Sequence, residues 1–448
     1  MTPAPRPRVL VIGAGSAGIA ALKTLRDRGL DAHAVERGPR IGGRWVNDDP
    51  ALGPVAYRTL HSATSRDALA YSDLAAPRQL PVFPSAQQVT AYCEQYVDTF
   101  GLRDRISLGE SVERAERDER GHWTVTTSAG TRQVEALVVA TGPFGVPRWP
   151  EPPIPGLSTF TGELLHVHDY RGPQQLAGKK VVVVGVGTSA VDLACDAAEH
   201  ADAALHSMRR GAWFLPEILF GRPADRWRPP VPMSWKARRS FFARAAAAQL
   251  GPLSAYGIAH PGHGYGEVHP LRSGRLLSHF AHGQLTTRPS IARLHEDAVE
   301  FIDGRIDPAD LIVFCTGWHV EHPFLPDDYR SPDDQHAGPP LLMRVFHPQA
   351  PELAFAGLVD AGTVSMPIAE AQGRLIADHL CGDYHLPDEP ERSARVAEEE
   401  AVSRERYPAA RRVRLQVDPL DYMPALERER RAGRERARAA RSASASRT

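Results

Sequence analysis

"RVLVIGAGSAGIAALKTL", residues 8–25, runs from branched apolar residues through Gly13, Gly15 and Gly18 into an Ala/Leu-rich stretch with helical spacing. It reads as a buried strand, a tight glycine turn and a helix. The first glycine permits the turn, the second lets a pyrophosphate approach the backbone, and the third lets helix and strand pack closely. Ser16 and Ala17 open the helix, whose free N–H groups and partial positive charge suit a phosphate. A second strand, "DAHAVE", ends at Glu36, with Arg37 just beyond. An acid about 20 residues past the glycines bonds a ribose 2′-hydroxyl and repels a 2′-phosphate, so this turn suits FAD or NAD rather than NADP.

The same construction returns in "VVVVGVGTSAVDLA", residues 181–194. Gly185 and Gly187 take the first two places, Thr188 and Ser189 open the helix, and Ala190 stands where close packing alone is at stake. The strand that follows, "AALHSMRR", ends in Arg209 and Arg210 without an acid. Guanidinium groups pair with phosphate, so this turn suits NADPH. The fold class is therefore α/β, with two dinucleotide-binding Rossmann-like domains. A flavin that takes hydride from NADPH is the simplest chemistry requiring both.

The remaining sequence is consistent with this. A chain of 448 residues exceeds one ordinary core, and 42% apolar with 24% charged residues suits a globular protein. A net charge of −1 implies no general attraction to nucleic acid or anionic membrane. The start lacks a signal-peptide pattern, no apolar run approaches the ~20 residues that span a bilayer, and a cytoplasmic location is the default. Cys93, Cys195, Cys315 and Cys381 form no CxxC, which argues against a zinc site, a disulfide framework or a redox dithiol. Residues 85–100 carry helical spacing behind a serine cap, and 235–250 and 365–380 are further helix candidates. A proline-rich linker is expected at 145–156, an irregular region at 211–270, and a frayed, disordered basic end over 427–448, with eight Arg and three Glu.

Beyond the two turns lie "IGGRW" at 41–45, "VVATGPFGVPRWP" at 138–150, "FTGELLHVHDY" at 160–170, "VFCTGW" at 313–318 and "MPIAEAQGR" at 366–374. In this order they resemble the class B flavin-dependent monooxygenases, specifically the flavin-containing monooxygenases, from Val9 to about Leu426. Phe160, Gly162, His166 and Tyr170 fit that family's FxGxxxHxxx(Y/F/W) pattern. Tyr170 followed by Arg171 looks like the heteroatom-oxidising branch rather than the Baeyer–Villiger one. The resemblance implies an FAD-binding domain from 1–155 and 300–426. An NADPH-binding domain, 156–299, would be inserted between, with 211–270 shaping the substrate cleft. It further implies that Gly43, Arg44 and Trp45 line FAD, that Val112 meets its adenine, and that Gln372 approaches the flavin. Ala140, Thr141, Gly142, Thr316 and Gly317 form two glycine-ended strand turns beside the cofactors. His166 and Tyr170 are carried over as candidate catalytic residues. The implied reaction is reduction of FAD by NADPH, addition of O2 at the flavin 4a carbon, and transfer of the distal hydroperoxide oxygen to nitrogen or sulfur of a small molecule. Substrate and O2 are then the partners, without nucleic acid or membrane, and the oligomeric state is open, a homodimer being one option.

One segment departs from the family. In "YRTLHSATSRDALAYSDL", residues 57–74, Ala63 stands where an Asn commonly faces the flavin edge. Ser62, Thr64 or Ser65 is expected to donate instead. "HPGHGYGEVHP", residues 260–270, gathers His260, His263, His269 and Glu267, but its spacing fits no helix face and no metal is expected. Alternatives are a Baeyer–Villiger ketone oxygenase, an uncoupled NADPH oxidase or redox-sensing flavoprotein, and a disulfide reductase, against which the absent CxxC counts.

Overall fold

A computed structural model describes residues 6–47, 56–229, 231–331, 338–362 and 365–445. Two five-stranded sheets organise them, and every pairing in both is parallel. In the first, Arg8–Ile12 lies between Asp31–Glu36 and Ala136–Val139, with Ile106–Leu108 and Leu353–Phe355 at the edges. In the second, Lys180–Val184 lies between Ala203–Ser207 and Leu311–Phe314, with Thr286–Arg288 and Glu163–His166 at the edges. The two strands read from sequence as leading into glycine turns are thus the switch strands of their sheets, where neighbouring crossovers diverge and a crevice opens at the carboxyl ends.

Strands such as Ala136–Val139 and Leu311–Phe314 are buried at every residue, as parallel strands covered on both faces require. Helices Ser16–Asp27 and Ser365–Leu380 cover one face of the first sheet, and Gly373 lets them approach: a Cβ there would sit 2.4 Å from Thr24 Oγ1. An antiparallel three-stranded sheet (112–134) accompanies the first sheet, and another (291–308) accompanies the second. The 145–156 linker and the return segment cross together, Val146–Pro147 pairing with Trp318–His319. Residues 211–270 carry helix Trp235–Leu250 within otherwise short elements, as expected.

Two expectations are corrected. The second lobe does not end at 299: Leu311–Phe314 is a central strand of its sheet, and Trp318 packs in its core. The first lobe resumes with Val320, Phe324 and Leu325. A continuous apolar run cannot by itself say which of two sheets it joins. Nor is the basic end disordered. Pro419–Ala445 is one helix, and residues 446–448 lie outside the described residues. Its charges are paired: Arg430 and Arg434 meet buried Asp378 at 2.6 and 2.8 Å, and its own buried Glu429 pairs with Arg436 and with Arg395 of helix Glu389–Arg406, each at 2.6 Å. Gly433 lies flat on Tyr384, where a Cβ would clash at 1.9 Å.

Candidate functional site

At the first turn Gly13 has φ +105°, and a Cβ there would lie 2.7 Å from Ala140 O. A Cβ on Gly18 would lie 1.8 Å from Gly13 O, which is the close helix–strand packing read from sequence. Gly15 caps helix Ser16–Asp27 without any side-chain hydrogen bond, and no acid stands in its first turn. The helix therefore presents bare N–H groups and its positive end at the crevice. Gly15 also faces Gly43, so the "GGRW" loop sits directly over the turn. Arg44 stacks over Trp45 and Phe144, each at 4.9 Å, and no acid pairs with it among the described residues.

Glu36 is buried at the end of its strand, where its carboxylate accepts Ala14 N–H at 2.7 Å and Gly38 N–H at 2.9 Å. Each oxygen keeps acceptor capacity for a hydroxyl. Arg37, the next residue, is exposed. Val112 is half-buried two residues beyond Glu110, whose N–H donates to Glu36 O at 2.9 Å. Val112 is thus near the acid, where the adenine end of a nucleotide would lie.

The second turn repeats the first. Gly185 has φ +137°, with Cys315 O 2.5 Å from where its Cβ would be. Gly187 caps helix Thr188–His200, again with no side-chain cap and no acid in the first turn. Ser189 follows Thr188 in that first turn, and Ala190 is fully buried as the packing position. By contrast, the helices starting at Ala86, Trp235, Gly274 and Glu389 are capped by Ser85, Ser234, Ser273 and Asp388. Side chains close those ends, whereas both glycine turns leave theirs open. Beneath the second turn His206 Nε2 meets Gly185 O at 2.8 Å, and burial keeps this histidine neutral, with a pKa of about 4.

Arg209 and Arg210 are exposed past the strand, and neither pairs with an acid among the described residues. Arg210 donates to Ala409 O at 3.5 Å, which draws the 408–412 segment towards the turn. Burial, then Arg411, Arg209 and Arg412, hold Arg148 below its ordinary pKa, so four arginines share one field. The sequence reading named one of them, Arg209, and its neighbour Arg210. Arg148, Arg411 and Arg412 come from distant segments, and no local motif marks them. Gly142 and Gly317, with φ +73° and +97°, have open space around a notional Cβ, and Thr141 is exposed beside buried Ala140. Thr316 O accepts Arg148 Nη2 at 2.7 Å, and Gly317 O accepts Arg148 N at 3.0 Å. These ends therefore anchor the cationic side of the crevice.

The 57–65 segment bridges the lobes. Tyr57 OH donates to Asp192 at 2.5 Å, and Thr59 and Tyr170 both donate to Asp196. Asp192 and Asp196 lie one turn apart on the helix behind Gly187. Burial pushes the Asp192 carboxyl up to about 7. Ser65 donates N–H and hydroxyl to buried Asp225 at 2.6 and 2.9 Å, and the Ser62 hydroxyl donates to Thr64 O at 2.9 Å. Ser62 and Ser65 are thus not the spare donors expected beside Ala63, because loop closure engages their hydroxyls. Thr64 is buried within the same turn. The group that does reach Ala63 is Arg272, whose Nη1 donates to Ala63 O at 3.4 Å.

Three other carried-over residues do not face the crevice. His166 is fully buried between Trp149 and Trp318, its Nδ1 accepts His168 N–H at 3.1 Å, and burial lowers its pKa to about 4. Tyr170 is fully buried with its hydroxyl on Asp196 at 2.9 Å. Both are held inside the protein, His166 by its ring neighbours and Tyr170 by this hydrogen bond. Gln372 is also fully buried. It accepts Gly357 N–H and donates to Tyr422 OH, both at 2.8 Å, and so fixes a loop that touches Ala17. Among the described residues no three His, Cys, Asp or Glu side chains gather as a metal site.

Asp225 and Arg272, which hold the Ala63–Ser65 turn, also line a cavity of about 170 Å³ together with Trp227, Tyr265, Tyr407 and Arg239 among others. It is built largely from the 211–270 region.

The family model described as flavin-binding monooxygenase-like matches residues 6–432. Flavin-containing monooxygenase 5 of Rattus norvegicus is 29% identical over 438 residues, covering 93% of this chain and 81% of that protein. The rat protein named dimethylaniline monooxygenase (N-oxide-forming) 2 is 27% identical over 449 residues, covering 94% and 82%. Among solved structures, S-allyl-L-cysteine S-oxygenase from Allium sativum has a TM-score of 0.71 at 24% identity, covering 97% of this chain and 93% of that one. Two open helix ends, an acid at one and arginines at the other, and a family match along nearly the whole length agree: the chain belongs to the flavin-binding monooxygenase-like family and is an FAD- and NADPH-dependent monooxygenase.

Proposed function

We propose that FAD lies on the Gly13–Gly18 turn with its ribose on Glu36, that NADPH lies on the Gly185–Ala190 turn with its 2′-phosphate among Arg209, Arg210 and Arg148, and that the substrate is a small molecule oxidised at nitrogen or sulfur. The carrying observation is the pair of uncapped helix ends at switch points, distinguished by the charge that ends the next strand. When bound, NADPH supplies electrons, and FAD passes them to O2, leaving one oxygen atom for the substrate. The chain's own contribution is placement and exclusion of water. Glycines bring backbone N–H groups to the phosphates, the 57–65 segment ties the lobes, and Asp225 fixes Ser65 beside the cavity. Soft nucleophiles require no general base to attack an electrophilic oxygen; the histidine that lines the cavity, His269, meets Asp360 O through Nε2 at 3.0 Å.

A cytoplasmic location accords with four unpaired cysteines and with the lack, among the described residues, of a helix long and apolar enough to cross a membrane. We carry the homodimer forward as the oligomeric state to test by light scattering. The deciding experiment is purification, a flavin spectrum, and NADPH oxidation under ¹⁸O₂ with amines, thioethers and ketones. Labelled N-oxide or S-oxide is expected. Labelled ester from ketones alone would move the enzyme to the Baeyer–Villiger class, and hydrogen peroxide as the sole product would make it an oxidase.

A further inference from the structure

Resting on that reading of the cleft, we propose that the cavity beside Ala63 takes substrates through a carboxylate, bound by Arg272 and Arg239, with the nucleophilic atom on a short apolar arm against the aromatic wall. Five arginines line this cavity; Arg228 is exposed and turned to the backbone oxygens of Asp225 and Trp227, at 2.8 and 3.1 Å, and the other four are of two kinds. Arg238 and Arg406 are both neutralised by Asp418 and Asp421, with Arg238–Asp418 at 3.0 Å and Arg406–Asp421 at 2.7 Å. Arg239 and Arg272 are not. Arg239 Nη2 donates only to the backbone oxygens of Gly266 and Arg406, at 3.2 and 2.7 Å, and the side chain lies over Trp235 at 4.8 Å. Among the described residues no carboxylate comes within 4.0 Å of it.

Among the described residues Arg272 has one hydrogen bond, to Ala63 O. Its nearest carboxylate, Asp225, is 4.0 Å away and already takes two hydrogen bonds from Ser65. The other acids acting on these two arginines are Glu217 and Glu267. Among the described residues Glu217 forms no ion pair within 4.0 Å, and Glu267 is turned to Gly264 N–H at 3.0 Å. Burial meanwhile lowers the pKa of both arginines, the sign of cations removed from water without full compensation. The unused N–H groups of Arg272 form a fork suited to two carboxylate oxygens.

The walls supply the rest of the selection. Trp227, Phe242, Tyr265 and Tyr407 line the same cavity, and Trp227 stacks on Phe241 at 4.2 Å, which stiffens that wall. An apolar cavity of about 150 Å³ holds benzene, so the 170 Å³ here admits an apolar arm of roughly that size. Arg272 touches the Ala63 carbonyl, so an acid held on its fork would lie beside the turn where the family resemblance puts the flavin edge, a few bonds from the atom to be oxidised.

The test is titration calorimetry of the FAD-loaded protein with 3-(methylthio)propanoate and with its methyl ester. The acid is expected to bind about 10- to 100-fold tighter, the range for charge-assisted hydrogen bonds. Arg272→Met and Arg239→Met, made separately, should each narrow that gap, and Arg272→Lys should restore part of it. Equal binding of acid and ester, no measurable binding of the acid, or a gap that survives both Met substitutions overturns the proposal. The acid–ester comparison in the unmodified protein requires no variant to fold. Mass spectrometry of the same mixtures with NADPH separates the two readings. Selective binding of the acid without S-oxide upholds the carboxylate site and refutes sulfur oxygenation. S-oxide formed equally from acid and ester does the reverse.

Discussion

Gly187→Ala separates a phosphate site from a mere turn. Gly187 has φ −92° and ψ 174°, which alanine adopts freely, and a Cβ there meets no atom within 4 Å. On the protein alone, the methyl group is accommodated. Alanine is a poorer N-cap than glycine by about 0.5–1 kcal/mol, while the stiffer unfolded chain returns about 0.4–1 kcal/mol. Stability should therefore stay within about 0.5 kcal/mol, about 1 °C or less for a protein of this size. A pyrophosphate hydrogen-bonded to the helix N–H groups lies in the space the methyl would enter. Displacing it weakens one or two charge-assisted bonds of about 1.5–3 kcal/mol each, so the KM for NADPH should rise about 10- to 100-fold. Steady-state kinetics with NADPH, thermal melting and flavin absorbance measure the three quantities on one preparation. Unchanged melting and flavin content with KM moved less than twofold would show that no dinucleotide phosphate touches this turn. Gly185 makes the contrast: at φ +137° and 2.5 Å from Cys315 O, any side chain strains the fold itself.

Replacing Arg209 and Arg210 together with Ala should raise the KM for NADPH far more than that for NADH, and equal changes would separate them from the 2′-phosphate. Arg430→Ala with Arg434→Ala leaves Asp378, 1% exposed, with only the partly exposed Arg28, and should cost about 3–5 kcal/mol in urea denaturation. A loss under 1 kcal/mol would mean that the C-terminal helix is not needed by the core. His166, His206, His322, His347 and His379 are each held near pKa 4, chiefly by burial, against 6.5 when exposed. The unfolded chain therefore binds more protons between those values, so stability is full above pH 6.5 and is lost as pH falls towards 4. His206→Gln should flatten melting temperature against pH over that window, and an unchanged slope would place the proton uptake elsewhere.

What could be read in the sequence follows from how local each signal is. The glycine turns, the acid at Glu36 and the arginines at 209–210 are fixed by backbone sterics and charge within a few dozen residues, and the structure places them accordingly. The packing of Gly18 on Gly13 and of Gly185 on Cys315 is what the spacing implies. The features that the sequence alone does not place depend on distant partners. Basic residues 427–445 read as a solvated tail only because Asp378 lies some 50 residues upstream. Tyr170 and Gln372 carry polar groups that a motif places at the cofactor, yet their hydrogen-bond partners, Asp196 and Gly357, draw them into the core. Arg272 and Asp225 bear on the 63–65 turn from a region with no periodic signal, where no pattern links one residue to another.

The two sheets have the same order about their switch strands, and each chain segment inserts an antiparallel three-stranded sheet before the strand that completes its central three. Such a duplicated frame makes both turns equally fit for a pyrophosphate, because φ at the first glycine, the uncapped helix and the buried third position are properties of the frame. Discrimination must then come from residues outside what is duplicated. Glu36 and the Arg209–Arg210 pair stand at equivalent strand ends with opposite charge, and a single carboxylate suffices to turn away a 2′-phosphate. The reverse preference takes more. Arginines from three separate segments gather at the second turn, and 408–412, which follows the first lobe's helices, reaches the second lobe to join them. The phosphate-bearing nucleotide would thus bridge the lobes where the bare-ribose nucleotide stays within one. Loading with NADP⁺ should therefore protect backbone amides at 408–412 from hydrogen exchange as well as those at 185–190, and protection confined to 185–190 would refute a shared site.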